Sequence, residues 1–533
     1  MPPSDASLPS PAVASGGSPP QDNRQAAPRE CDLLIVGGGI NGASIARDAA
    51  GRGLSVVLCE RDDLASHTSS ASTKLIHGGL RYLEHYEFGL VRKALIEREV
   101  LLRSAPHIMW PLRFVMPHDP SMRPAWLVRA GLLLYDHLAR REVLPGSAGI
   151  DLRRHVAGVP LQPRLARGFV YSDGWVDDAR LVVLNARDAA DRGATVLTRT
   201  ACIDARRQDD RWLARLQGAD GRTAEVSARA LVNAAGPWAG SFLQAQAHQS
   251  HRRALRLIKG SHIVVPRLFE HDHAYIFQSP DKRIVFAIPF EGQFTLIGTT
   301  DLEHHGDPGS VAIEPAEVDY LCQLINRYFR RPISAADVVW QYSGVRPLLD
   351  DESGDPSAVT RDYALELDRN GAPLLSIWGG KITTSRKLAE EAVDALLPAL
   401  GARAPAWTHG AFLPGGDLSA VIGPGRRPDL DFERFVHLSG ERRPWIAAPL
   451  LRRWARAYGG RIERLLGDAR SMADCGEAVA PDLYEIEIDF LRRDEWMVSA
   501  QDLLWRRSKL GLHLTAEQRD RVGGHVAGLP AIG

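Results

Sequence analysis

Near the N-terminus an apolar strand, a glycine-rich turn, a helix and a second strand follow one another without a gap, and this run constrains the fold more than any other. The segment DLLIV (32–36) is short and wholly apolar, as expected of a strand buried on both faces of a parallel sheet. It leads into GGGING (37–42), where Gly37, Gly39 and Gly42 carry the GxGxxG spacing. Residues 43–50 read as a helix of small side chains, stopped by Gly51 and Gly53. Residues 54–59 read as a second strand that ends at Glu60. The first glycine permits the tight turn, the second lets backbone approach a pyrophosphate, and the third brings helix and strand together. The helix N-terminus offers unpaired N–H groups to phosphates. Glu60 is placed to accept hydrogen bonds from a ribose. The pattern predicts an α/β fold built on a dinucleotide-binding unit.

That unit does not choose between nicotinamide and flavin dinucleotides, but the residues after Glu60 do. LASHTSSASTKLIHGGLRY (64–82) is a loop of small and hydroxyl side chains where a nicotinamide enzyme normally continues with another helix. Ser69, Ser70 and Ser72 could hydrogen-bond phosphate and flavin edges. ARALVNAAGPW (228–238) is an apolar strand ending in a small-residue turn at Gly236, suited to a strand returning beside the nucleotide. SIWGGKITTSRK (376–387) reads as strand, glycine turn and helix start, placing Gly380, Lys381 and Thr383 where a helix N-terminus could stabilise charge on a flavin.

Composition narrows the partners. Lys+Arg and Asp+Glu both number 65, so the net charge is zero, whereas a wholesale nucleic-acid binder is usually strongly basic. The five cysteines are scattered without a CxxC pair, which supports neither a zinc ribbon nor a dithiol redox site. No histidine–acid cluster has metal-ligand spacing, so no metal is expected. The most apolar window, 125–138, is interrupted by Arg129 and falls short of the ~20 residues that span a bilayer. Residues 1–30 are rich in Pro, Ser, Ala and Gly, lack the charged start and apolar core of a secretory signal, and are expected to form a disordered tail.

Taken together, the runs IVGGGINGASIARDAAGRGLSVVLCE, TSSASTKLIHGGLRYLEHYEFGLVRKAL, YSDGWVDDARLV, NAAGPWA, RLIKGSHIVVP, IGTTD, YSGVRPLLDDE, TRDYAL and GGKITTSRKLAEEA resemble the aerobic, FAD-dependent glycerol-3-phosphate dehydrogenases of bacteria over nearly all of residues 31–533. The resemblance implies a fold related to the glycine and D-amino-acid oxidases. A discontinuous FAD-binding part (31–115, 165–245, 340–398) would carry an antiparallel-sheet substrate part (116–164, 246–339), followed by a helical C-terminal domain (399–533). It implies oxidation of sn-glycerol 3-phosphate to dihydroxyacetone phosphate by hydride transfer to FAD, and assembly as a homodimer.

Two chemical demands follow from that reaction: cationic forks for a phosphate dianion and an acceptor for the alcohol proton. The resemblance places Arg346 and Arg361 at the phosphate, and Arg81, Tyr82, His262, Thr299 and Lys381 around substrate and flavin, with His262 as the base. From the residues alone, Arg346 would equally serve a surface salt bridge with Asp350 or Asp351, and Arg361 one with Asp362. His262, alternating with apolar residues, would by itself more often be a satisfied core or edge histidine. Lys381 or Arg81 could polarise the substrate oxygen.

The resemblance also implies ubiquinone as electron acceptor, reached from the inner face of the cytoplasmic membrane; an oxidase using oxygen would share the same motifs. Two segments could lie in an anionic lipid interface. Residues 434–470 interleave many arginines with Trp445, Leu450, Leu451 and Trp454, and Trp126 to Leu138 is flanked by Arg123, Arg140 and Arg141. Both patterns equally fit helices packing an apolar face on the core.

Overall fold

A computed structural model describes residues 27–119, 123–251, 253–279, 283–349 and 362–530, apart from the side chains of Arg81 and His85. Among the described residues the first sheet has eight strands. Glu30–Val36 pairs in parallel with Val56–Cys59 on one side and Thr223–Asn233 on the other. The sheet order is Tyr363–Asp368, Leu374–Gly379, Thr223–Asn233, Glu30–Val36, Val56–Cys59 and Thr195–Leu197. A hairpin, Thr200–Gln208 and Arg211–Gly218, is added beside the start of Thr223–Asn233.

Alternation along the first strand sends Leu33 and Ile35 to one face and Leu34 and Val36 to the other. Leu33 and Ile35 meet the helices Ile40–Gly51, Asp178–Asp191 and Ser385–Leu396 through Ala43, Ala46, Val183 and Ala389. The other face meets Trp212, Phe242 and Trp378. Both faces are therefore dry, which explains why the strand is apolar throughout.

The second sheet has ten strands among the described residues. Leu255–Pro266 lies between Phe294–Gly298 and Trp340–Leu349, antiparallel to both. Phe294–Gly298 continues through Ile284–Phe290 and Ala274–Gln278 as a meander. Met109–His118 and Arg167–Val176 extend it to the two-residue strand Leu75–Ile76, which lies within the hydroxyl-rich segment 64–82.

Sheet pairing redraws the expected segments. Residues 167–176 and 340–349, assigned from sequence to the FAD-binding part, belong to the second sheet, as do 109–115 and 75–76. Local pattern marks these as strands, but pairing across long insertions decides which sheet takes them. The tail boundary also moves inward, since Glu30 already pairs with Ser227; residues 1–26 lie outside the described part.

Helices Pro428–Arg442, Ala448–Tyr458, Glu485–Glu495 and Ala516–Gly528, with one small hairpin, enclose a separate core around Phe435, Trp454, Tyr458, Phe490 and Leu503. Among the described residues no helix is long and apolar enough to cross a membrane.

Candidate active site

The glycine turn shows why its three glycines are needed. A Cβ on Gly37 would stand 2.5 Å from the Ala234 carbonyl oxygen, and Gly37 has φ +110°. A Cβ on Gly42 would stand 1.9 Å from the Gly37 oxygen, so neither position admits a side chain without moving backbone. Gly39 caps helix Ile40–Gly51 without a side-chain bond of its own. The Ser69 hydroxyl accepts from the Ile40 N–H at 3.0 Å instead. Glu60 accepts from the backbone N–H of Gly38 at 2.6 Å and of Asp62 at 2.9 Å. Burial nevertheless raises its pKa above the ordinary carboxylate value.

Gly37, Gly39, Ile40, Glu60 and Ser69 line a cavity of ≈ 600 Å³ together with Asn41, Trp238, Gly236 and Gly380. Half-buried Asn41 donates its Nδ2 to the Gly379 carbonyl, while its inaccessible Oδ1 has no hydrogen-bond partner. Gly236 and Gly380 have φ of +58° and +108°. Ile40, Thr68, Ser69, Pro347 and Gly380 border both this cavity and a second one of ≈ 290 Å³, so the two adjoin. A glycine-rich cradle, a ribose-type carboxylate and an orphaned amide oxygen facing a long two-chambered cavity fit an extended dinucleotide.

The second chamber brings together His262, Thr299, Arg346, Lys381, Tyr82, Ser72 and Thr383. His262 stands between two neighbouring strands, opposite Gly298 and Tyr342. It stacks on the Tyr342 ring at 4.8 Å, and its Nε2 contacts Thr73 Oγ1 at 2.9 Å. Its Nδ1 is buried without a partner. A Cβ on Gly298 would lie 2.1 Å from His262 Cδ2, so glycine there makes room for the ring. Burial, followed by the charges of Arg346 and Lys74, holds the imidazole pKa well below its usual value, and the ring is neutral at pH 7.

Arg346 donates to Asp301 Oδ1 at 2.8 Å, to Thr299 Oγ1 at 3.1 Å and to the Thr300 carbonyl at 3.3 Å. Among the described residues its acid partner is Asp301, in the loop after strand Phe294–Gly298; Asp350 and Asp351 lie outside the described residues. Beneath this loop Glu317 accepts from Ser261 and Thr300 at 2.8 and 2.7 Å and pairs with Lys259 at 2.8 Å. That buried set fixes Thr299, Thr300 and Asp301 around the guanidinium. Lys381 Nζ lies 3.9 Å from the centre of the Tyr82 ring. Thr383 Oγ1 accepts from the His77 N–H at 3.2 Å.

Of the expected residues, Arg361 lies outside the described part, and so does the side chain of Arg81. Ser70 borders neither chamber; its hydroxyl donates to the His67 carbonyl at 3.3 Å. Ser72 donates its hydroxyl to Asp178 at 2.7 Å, and Lys74 Nζ reaches the same carboxylate at 2.7 Å. Sequence reading missed Thr73, Asp301, Tyr342, Asp178 and Lys74. All five stood in quoted motifs: Thr73 and Lys74 directly after Ser72, Asp301 in IGTTD beside Thr299, Tyr342 in YSGVRP near Arg346, and Asp178 in YSDGWVDDARLV, away from any expected site residue.

A family model described as FAD dependent oxidoreductase (DAO) matches residues 32–386. Curated relatives include the glycerol-3-phosphate dehydrogenase of Pseudomonas aeruginosa, 54% identical over 93% of this chain and 94% of its own. The aerobic glycerol-3-phosphate dehydrogenase of Escherichia coli is 52% identical over 92% and 96%. The D-erythritol 1-phosphate dehydrogenase of Brucella abortus is 49% identical over 93% and 97%. Among solved structures, the glycerol-3-phosphate dehydrogenase of Bacillus halodurans complexed with FAD superposes with a TM-score of 0.71 at 26% identity, covering 93% of this chain and 94% of that one. The chain belongs to the DAO family of FAD-dependent oxidoreductases and, within it, to the glycerol-3-phosphate dehydrogenases. Its cofactor is FAD, and the two-chambered cavity fits it.

Proposed function

We propose that this enzyme oxidises sn-glycerol 3-phosphate to dihydroxyacetone phosphate and passes the electrons to a membrane quinone. The observation that carries the substrate reading is the single chamber holding an arginine fork, Arg346, a neutral buried imidazole, His262, and a second cation, Lys381. Arg346, held at its base by Asp301 and Thr299, takes the phosphate through its planar fork. His262 accepts the C2 hydroxyl proton at Nε2, exchanging its contact with Thr73 for one with the alcohol. Lys381 stabilises negative charge growing on that oxygen. FAD, when bound, supplies the acceptor for the hydride that leaves C2. The apolar wall of Phe114, Tyr171, Ile276 and Phe286 limits water beside the reacting carbon.

Anaerobic mixing of the holoenzyme with a panel of polyol phosphates tests this reading. Glycerol 3-phosphate should bleach the flavin fastest. A faster response to erythritol 1-phosphate would replace the substrate, a reading that the Brucella relative's name makes worth including. In air, rapid peroxide release without quinone would overturn the proposed acceptor.

Attachment to the membrane is supported by helix Ala125–His137. Trp126 is 72% exposed, and Leu127, Leu133 and Leu134 on the same helix are exposed with it. Arg123 and Arg140 flank it. An exposed aromatic and leucine face bordered by cations suits an anionic lipid interface. Residues 434–470 do not offer such a face. Leu450, Leu451 and Trp454 are buried in the C-terminal core, while Arg452 pairs with Glu433 and Arg453 with Glu487. A Leu133→Glu/Leu134→Glu variant should lose binding to vesicles of anionic phospholipid; undiminished binding would place the contact elsewhere.

A further inference from the structure

The C-terminal domain lies outside the matched family region of 32–386, yet one of its segments reaches the flavin site from three directions. This segment is the helical turn Asp502–Arg507 with the following Ser508 and Lys509.

Its first contact is with the loop that borders the nucleotide chamber. Asp63, three residues past Glu60, is buried and receives Arg506 Nε at 2.6 Å and Arg507 Nη1 at 2.5 Å. Arg199 donates to Asp502 at 2.6 Å. Arg199 also donates its backbone N–H to the Asp62 carbonyl at 2.8 Å, and Thr200 N–H donates to the Glu60 carbonyl at 2.7 Å. Leu64 and Ala65 close the same loop against the glycine turn. Ala65 N–H donates to the Gly38 carbonyl at 3.3 Å, and a Cβ on Gly38 would lie 3.0 Å from Leu64 Cδ2.

The second contact is aromatic. Trp505 stacks on Trp340 at 4.6 Å, Trp340 meets Tyr342 at 5.0 Å, and Tyr342 stacks on His262 at 4.8 Å. The third is ionic. Lys509 holds Asp177 at 3.2 Å, and Asp177 caps the helix whose first residue, Asp178, binds Lys74 and Ser72 on the loop at the chamber wall.

We propose that Asp502–Lys509 is a cross-domain clamp and that its arginines are positioning residues for the flavin site. Arg506 and Arg507 fix the Glu60–Ala65 loop in the shape that binds the adenosine end, and Trp505 backs the row of rings behind His262. FAD affinity in this chain then depends on docking of a domain outside the dinucleotide fold. The clamp charges are deeply buried, so truncating one side without the other leaves a buried ion, whereas a neutral isostere at one arginine does not strand its partners.

Arg506→Gln in the full chain is the informative variant, because Arg507 and Arg199 still face Asp63 and Asp502. The measurements are FAD dissociation by flavin fluorescence, melting of the apoprotein, and anaerobic flavin reduction at saturating FAD. The clamp predicts FAD binding weakened about tenfold or more, with apoprotein melting little changed, and recovery in Arg506→Lys. Trp505→Ala should instead slow flavin reduction with FAD affinity kept. Unchanged FAD affinity in Arg506→Gln would overturn the proposal, as would a drop in apoprotein melting with no loss of FAD affinity. None of these readings depends on which polyol phosphate is oxidised, so the clamp and the substrate assignment fail separately.

Discussion

Replacing Arg346 with methionine keeps most of the side-chain volume and removes the fork. The guanidinium is held within 2.8–3.3 Å of Asp301, Thr299 and Thr300 and is about 29% exposed, so it is neither a free surface charge nor a fully buried ion. Losing a hydrogen-bonded charged partner at such a site costs about 2–5 kcal/mol. At ~1.4 kcal/mol per decade the lower bound is a roughly 30-fold rise in KM for glycerol 3-phosphate. The true loss should exceed that bound, because Asp301 would then present its negative charge to the phosphate with less compensation. A paired variant, Arg346→Met with Asp301→Asn, should therefore recover part of the affinity, although it removes two polar groups instead of one. Arg346→Lys should fall between wild type and Arg346→Met, since it keeps the charge without the two-pronged geometry. The assay is steady-state dye reduction with FAD content measured on the same preparations. A KM within threefold of wild type in Arg346→Met, with FAD retained, would refute the phosphate role. No recovery in the double variant would refute the account of Asp301.

His262→Gln should lower the rate of anaerobic flavin reduction by about 100-fold or more, the usual worth of a positioned general base; full-speed reduction would remove His262 from proton transfer. Because burial depresses its pKa, the base form persists on acidification, so the acid limb of kcat/KM should lie below the ordinary histidine value of about 6.5. Buried His107 has neither ring nitrogen hydrogen-bonded, and its pKa is likewise held down, chiefly by burial. An unfolded chain therefore takes up protons there as pH falls through about 6.5 while the folded chain does not. Stability from this source is complete above that pH and is lost below it. His107→Leu should flatten the fall in melting temperature between pH 7 and 5, and an unaltered slope would show that other groups set it.

The dinucleotide unit was legible because its motif is contiguous in the chain, even where the atoms that enforce it are not. Gly42 is forced by the Gly37 oxygen within the turn itself, Gly37 by the returning backbone at Ala234, and the apolar strand by two covered faces. The substrate chamber was only partly legible, for a physical reason. Arg346 and His262 lie on adjacent antiparallel strands, but what tunes them arrives from elsewhere: Asp301 from a loop after the next strand, Thr73 from the flavin-type loop, and Glu317 from a helix beneath. Such partners carry no spacing relative to one another, because sheet register and loop return bring them together. The same holds more strongly for Arg506 and Asp63, far apart in the chain and 2.6 Å apart in space. The arginines of residues 434–470 looked in sequence like a possible lipid-facing surface. Several of them instead answer acids of their own domain, as Arg452–Glu433, Arg453–Glu487 and Arg464–Asp494 do, while Arg180–Glu495 and Arg507–Asp63 cross the domain boundary in both directions. A chain with zero net charge can therefore still place strong local fields where domains meet, and their energetic weight comes from burial rather than from composition.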